Sequence, residues 1–228
     1  MSLFCLVHGS TQNASGWNLL VPELHLYGHE VICVDLPSDQ PACGGIYFAD
    51  IIVDALKKHQ EKETVLVAHS ASGLLLPVVA SWHSVARLVY LAAAIPLIGK
   101  SFMEQVKENA DMIWPDWMGK DPTRDHALAL HYLFHDCASD RAEWALTTLN
   151  RMHYNAVMSE PCPISVWPPT PSSYIVCSED RTLRPDWCRR AARERLPDSP
   201  IELAAGHCPQ VSRPRELGVI LNDLSVLA

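Results

Sequence analysis

No apolar run in this chain reaches the ~18 residues that a membrane-crossing helix needs. No basic stripe is present either: 18 Lys and Arg face 26 Asp and Glu, for a formal net charge of -8. That balance argues against nucleic acid or an anionic membrane as the main partner. None of the eight cysteines falls in a C-x-x-C pair, and Cys5, Cys33 and Cys177 lie within apolar, strand-like runs. They read as small buried hydrophobes in a reducing compartment rather than as a disulfide framework. The stretch from Met1 to Val7 lacks a basic flank and is too short for the core of a signal peptide. The expectation is therefore a cytoplasmic protein, monomeric or homodimeric, with neither nucleic acid nor membrane as partner. Internal repeats and low-complexity segments are absent as well.

What is there is a chain of 228 residues, 48% apolar and 19% charged, enough to bury one substantial core. Short apolar runs recur at 3-LFCLV-7, 30-EVICVDLP-37, 64-TVLVA-68, 86-ARLVYLA-92, 174-YIVCS-178 and 200-PIELAA-205. Each is bounded by polar or turn residues, as buried strands are. Helical patterns intervene at 16–28, where Trp17, Leu20, Leu24 and Tyr27 recur at spacings of three and four before Gly28, and at about 47–60, from near Gly73, at 185–196 and at 213–227. Strand and helix alternate, which predicts an α/β fold with a mainly parallel sheet covered by helices on both faces. The alternation lapses from about 99 to 160, where Trp114, Trp117, Trp144, His131, His135 and His153 fall in helical patterns without strands. We therefore expect a core of residues 1–98 and 161–228 interrupted by a helical insertion at 99–160, with proline-rich 161-PCPISVWPPTPSS-173 as a semi-rigid connector.

In a parallel sheet, ligand sites form beyond the carboxyl ends of the strands, so polar residues at those turns carry the functional information. One stretch, 65-VLVAHSASGLLLPVV-79, sets His69 and Ser70 between two apolar runs. The small residues Ala68 and Ser72 flank Ser70 at two positions on either side, as a sharp strand-to-helix turn with an exposed serine requires. A serine hydroxyl needs a neighbouring imidazole to become nucleophilic, and the imidazole needs a carboxylate to fix its tautomer. Asp180 follows the fifth strand and His207 follows the sixth. Ser72 is the alternative nucleophile, although it would fall inside the first helical turn. Glu179 and Asp136 are the alternative acids. His207 could instead be a structural histidine, and His69 is expected to pack beside the turn. His131 and His135 lie four apart, but no Glu sits between them in H-E-x-x-H fashion and no third ligand is evident, so no metal or other cofactor is expected.

The set of motifs resembles the α/β-hydrolase fold superfamily. The serine turn is similar to the G-x-S-x-G nucleophile elbow, with Ala68 and Ser72 in place of the two glycines, and the order Ser70, Asp180, His207 is that superfamily's order. The stretches 28-GHEVICVDLP-37 and 207-HCPQVSRPREL-217, and a chain that opens directly on His8-Gly9, look like the small-lid branch containing methylesterases and plant-type hydroxynitrile lyases. The resemblance implies an α/β-hydrolase fold with 99–160 as the lid. It also implies a Ser70, Asp180, His207 triad, and an oxyanion hole made by the backbone N–H groups of Ser10 and Ala71.

The implied activity is hydrolysis of a small or medium hydrophobic carboxylic ester, lactone or thioester through an acyl-enzyme. Trp114, Trp117, Leu133, Phe134 and Trp144 are then candidates for lining a substrate pocket. Related lyases carry a lysine after the catalytic histidine and a threonine at the position of Gly9, so Cys208 and Gly9 speak against cyanohydrin cleavage. A non-hydrolytic ligand receptor is the remaining alternative.

Overall fold

A computed structural model describes residues 1–37, 43–59, 62–150 and 154–226. Six strands, β1 (Leu3–Val7), β2 (Glu30–Val34), β3 (Thr64–His69), β4 (Arg87–Leu91), β5 (Ser172–Cys177) and β6 (Ile201–Leu203), form one sheet in the order β2-β1-β3-β4-β5-β6. Every pairing is parallel. All six lie where the apolar runs predict them.

Successive side chains of a strand point to opposite faces, and the core divides accordingly. Phe4, Leu6, Val65, Val67, Val89, Leu91 and Ile175 pack against α1 (Val21–Leu26) and α10 (Pro214–Val226). Cys5, Val7, Leu66, Ala68, Leu88, Tyr90 and Tyr174 pack against α2 (Gly45–Leu56), α3 (Leu76–Trp82) and α8 (Pro185–Arg195). A parallel sheet buried on both faces needs near-continuous apolar strands, and β1, β3, β4 and β5 are buried at every position.

Residues 99–160 hold four helices, α4 (Phe102–Glu108), α5 (His126–Tyr132), α6 (Ser139–Leu146) and α7 (Asn155–Ser159), and no strand among the described residues. Ser101 caps α4 in a reciprocal capping box with Glu104. A third cluster joins α5 and α6 to α9 (Pro209–Ser212) through Ala129, Phe134, Ala145 and Val211.

Two helices differ from the sequence expectation. The one expected over 16–28 is a 3-10 turn at Ala14–Trp17 followed by the short α1, because Pro22 stands in the first turn of α1 and fixes where it begins. The one expected from Gly73 is a 3-10 turn, Ser70–Leu75, and becomes α-helical only at Leu76, again beside a proline, Pro77. The last helix, expected over 213–227, is α10, and the short α9 before it was not expected; both open on proline, and residue 227 lies outside the described residues. Helix α2 ends at Leu56 and passes into a 3-10 turn, Lys57–His59; the expected end at residue 60, and His153, lie outside the described residues.

Candidate active site

Strand β3 runs straight into Ser70, which has φ 56. A non-glycine residue in this left-handed region costs about 1–3 kcal/mol unless the surroundings hold it there. The surroundings do. The Ala94 N–H donates to the Ser70 carbonyl at 3.0 Å, and the backbone on either side is crowded to the limit. A Cβ on Gly73 would stand 2.3 Å from the Ala94 carbonyl oxygen, and one on Gly9 would stand 2.9 Å from Ser70 Cβ. The positions where close approach demands glycine are therefore 73 and 9. Ser72, the small residue weighed as an alternative nucleophile, is fully buried, and its hydroxyl is engaged elsewhere: it donates to the His8 carbonyl and meets the Tyr154 hydroxyl at 2.6 Å.

Ser70, His207 and Asp180 lie together. Ser70 Oγ is 2.9 Å from His207 Nε2, and His207 Nδ1 is 2.7 Å from Asp180 Oδ2. With the Nδ1 proton directed to the carboxylate, Nε2 is left to accept from the serine hydroxyl. His207 and Asp180 are both buried. The other carboxylate oxygen, Asp180 Oδ1, accepts from the Thr182 N–H at 2.7 Å, the Thr182 hydroxyl at 3.0 Å and the Leu183 N–H at 3.2 Å. Thr182 Oγ1 also lies 2.8 Å from His207 Nδ1, so one hydroxyl bridges acid and imidazole. Sequence reasoning passed over Thr182, yet an Asp with a Thr two residues on is the signature of an Asx turn, which this is.

The alternatives take other places. Glu179 is exposed and engages its neighbours through its backbone: its N–H donates to the Ala205 carbonyl and its own carbonyl accepts from His135 Nε2. Asp136 accepts from the Gly206 N–H at 2.8 Å, bracing the turn that carries His207 without touching the imidazole. His69 is buried against His207, donating from Nε2 to the His207 carbonyl at 2.7 Å. Burial, with the His207 ring next to it, holds the His69 imidazole well below the usual histidine range, so it stays neutral. His131 faces Arg181 while His135 faces Glu179, and no cluster of three potential metal ligands occurs among the described residues.

Ser70 and His207 open on a cavity of about 430 Å³. Ser10 and Ala71 line it beside them, with Thr11 and Thr182. Much of the remaining wall comes from 99–160: Phe102, Met103, Val106, Ile113, Trp117, Met118, Leu133, Tyr154 and Met158. Of the five pocket candidates, Trp117 and Leu133 line the cavity. Trp114, Phe134 and Trp144 do not. Trp114 lies outside, its Nε1–H donating to the Asp180 carbonyl at 2.8 Å and its ring covered by Arg184. Phe134 and Trp144 pack into the cluster under α5, α6 and α9. These three aromatics thus serve to fix the acid turn and the insertion's own core. The lining itself mixes the aromatics Phe102, Trp117 and Tyr154 with aliphatic residues and with Met103, Met118 and Met158, whose unbranched, polarizable side chains adapt to irregular ligands.

Comparison with known proteins bears on the family and the fold. Residues 6–218 match the Alpha/beta hydrolase family. Alpha/beta hydrolase nvfD of Aspergillus novofumigatus (strain IBT 16806) is 25% identical over 228 residues, covering 92% of this chain and 90% of that one. Among solved structures, polyneuridine aldehyde esterase superposes with a TM-score of 0.83 at 19% identity, covering 99% of both chains. A pyrethroid hydrolase from Sphingobium faniae JZ-2 gives 0.79 at 20% identity, covering 99% of this chain and 97% of that one. With a family match across most of its length and the same fold in its structural neighbours, this chain belongs to the alpha/beta hydrolase family.

Proposed function

We propose that this protein is a serine hydrolase of small or medium hydrophobic carboxylic esters, working through an acyl-enzyme on Ser70. The assignment rests above all on the hydrogen-bonded series Ser70 Oγ, His207 Nε2, His207 Nδ1, Asp180 Oδ2, which ends in a mostly apolar cavity. That cavity, at about 430 Å³, falls in the range of small-molecule sites. The names of the two structural neighbours, an esterase and a pyrethroid hydrolase, are in keeping with it.

In the proposed reaction Ser70 Oγ adds to the ester carbonyl carbon as its proton passes to His207 Nε2. The oxyanion takes hydrogen bonds from the backbone N–H groups of Ser10 and Ala71, and Asp180 stabilises the imidazolium through Nδ1–H. Collapse of the tetrahedral intermediate expels the alcohol, which leaves with the proton from His207. Water then adds to the acyl-enzyme with the same base, releasing the carboxylic acid and restoring Ser70. Residues 99–160 act as the lid, supplying the apolar wall that receives the substrate. A reducing, cytoplasmic setting is part of the same proposal, supported by the free cysteines.

The test is hydrolysis of p-nitrophenyl esters of increasing acyl length by the native protein and by Ser70→Ala, with fluorophosphonate labelling alongside. Turnover by the native protein that falls to background in the variant supports the assignment. If the native protein shows neither turnover nor labelling of Ser70, the catalytic reading is wrong.

A further inference from the structure

The segments that carry the two amides at the cavity are held together by one side chain. Ser72, two residues after Ser70 on the 3-10 turn, donates its hydroxyl to the carbonyl of His8, two residues before Ser10. Its oxygen in turn meets the Tyr154 hydroxyl at 2.6 Å. With the Ser72 proton committed to the carbonyl, the phenol is the donor of that second bond. Tyr154 is itself fixed: it is buried, stacked on Phe48 with ring centroids 5.5 Å apart and an interplanar angle of 11°, while its other side lines the cavity. A glycine at position 72 would satisfy the sterics of the turn. The hydroxyl there therefore adds a function, since a buried hydroxyl is retained without loss only where it is bonded.

Building on the serine-hydrolase assignment, we propose that Ser72, pinned by Tyr154, sets the spacing between the Ala71 and Ser10 amides, so that Ser72 and Tyr154 are positioning residues for the oxyanion. The lid segment thereby contributes to the reaction through the phenol at the start of α7 as well as through its apolar wall. The Tyr154 hydroxyl, as distinct from the ring that lines the cavity, acts only through Ser72.

The experiment compares native protein, Ser72→Ala, Ser72→Gly, Tyr154→Phe and the double variant Ser72→Ala/Tyr154→Phe. Each is tested on p-nitrophenyl acetate and on the corresponding thionoester, whose C=S group accepts amide hydrogen bonds poorly. Deleting an oxyanion donor outright costs roughly 10²- to 10³-fold in kcat, so misaligning one is expected to cost about 10-fold. Ser72→Ala should lose about that factor in kcat with little change in KM, and its preference for oxoester over thionoester should shrink in step. Tyr154→Phe keeps the stacked ring and should lose less. The double variant should match Ser72→Ala, because residues acting through one another are not additive. Circular dichroism and thermal midpoints verify that each variant is folded, and Ser72→Gly and Tyr154→Phe carry the test if Ser72→Ala is not.

Folded Ser72 variants with native kcat and native oxo-to-thiono preference would overturn the proposal, as would a Tyr154→Phe effect that persists undiminished in the Ser72→Ala background. If the native protein neither turns over esters nor labels at Ser70, the hydrolase assignment fails and takes this proposal with it. Native turnover with indifferent variants removes this proposal alone.

Discussion

Replacing Gly9 by alanine is the sharpest available perturbation of the site, because every way of relieving the clash leads to the same hydrogen bond. The added Cβ would lie 2.9 Å from Ser70 Cβ, 3.1 Å from His69 Nδ1 and 3.4 Å from the His69 carbonyl oxygen. Carbon atoms rest at about 3.5–4.0 Å from one another, so something must yield by roughly 0.6–1 Å. Ser70 can retreat, but it is held at its strained φ and by the Ala94 N–H, and its retreat opens the 2.9 Å contact to His207 Nε2. His69 can retreat, but its Nε2 is bonded to the His207 carbonyl at 2.7 Å, so it pushes on the imidazole from behind. A displacement near 1 Å at a reacting group costs on the order of 10²-fold in rate. Overpacking of a filled interior costs about 1–3 kcal/mol in stability. Gly9→Ala should therefore lower kcat for a p-nitrophenyl ester between roughly 10- and 100-fold. Urea unfolding should register the accompanying loss of stability. A variant with native kcat and a native urea midpoint would show that this contact relaxes freely and would refute the reasoning. A threonine at this position would be bulkier still than alanine. Gly9→Thr should abolish esterase turnover without producing cyanohydrin cleavage, checked with mandelonitrile.

Three further outcomes are expected. Gly73→Ala drives a Cβ to 2.3 Å from a backbone carbonyl and 2.9 Å from Ala93 Cβ, neither of which can swing aside; soluble yield and thermal midpoint should both drop sharply, and a variant as stable as the native chain would contradict it. Asp180→Asn removes the acceptor that fixes the His207 tautomer and should cost roughly 10⁴-fold in kcat, as in other serine triads, whereas Thr182→Val keeps the carboxylate and removes only the bridging hydroxyl, so its loss measured on the same ester should be far smaller. Because the buried His69 titrates well below its unfolded value, its contribution to stability is complete above the unfolded pKa and is lost as pH falls below it, when the unfolded chain takes up a proton that the folded one refuses. His69→Gln should therefore flatten the acid limb of stability against pH by up to about 1.4 kcal/mol per pH unit below pH ~6.5, and coincident limbs in pH-dependent urea melts would rule that out.

The parts of this molecule that were legible in its sequence are those governed by burial on both faces and by strand ends. A parallel sheet leaves no face in water, so β1, β3, β4 and β5 appear as unbroken apolar runs. Where such runs stop, the polar residue that follows is at the sheet's carboxyl edge, and this alone brings Ser70, Asp180 and His207 to one place. The misplaced helix starts had a local signal: Pro22 and Pro77 each stand in the first turn of a helix, as Pro209 does in the unexpected α9, where a missing N–H costs nothing.

The pocket was not legible in the same way, because hydrophobicity states that a side chain will be covered and not by what. Trp114 is drawn to the acid turn by its indole N–H, a polar demand that bulk conceals. Tyr154 falls between the two kinds of reading: its ring is core, stacked on Phe48, and its hydroxyl reaches the serine turn across 82 positions of sequence. No window of the sequence contains both partners, and only the assembled sheet with 99–160 folded over its carboxyl edge brings them within 2.6 Å. The same holds for Gly9 and Ser70, which are 61 positions apart yet so close that a single methyl group between them has no room. Through the Tyr154 hydroxyl the insertion is thus tied to the serine turn. Exchanging the insertion for a relative's would therefore change the serine turn's support as well as the shape of the pocket, so a graft should lose rate before it gains a new substrate.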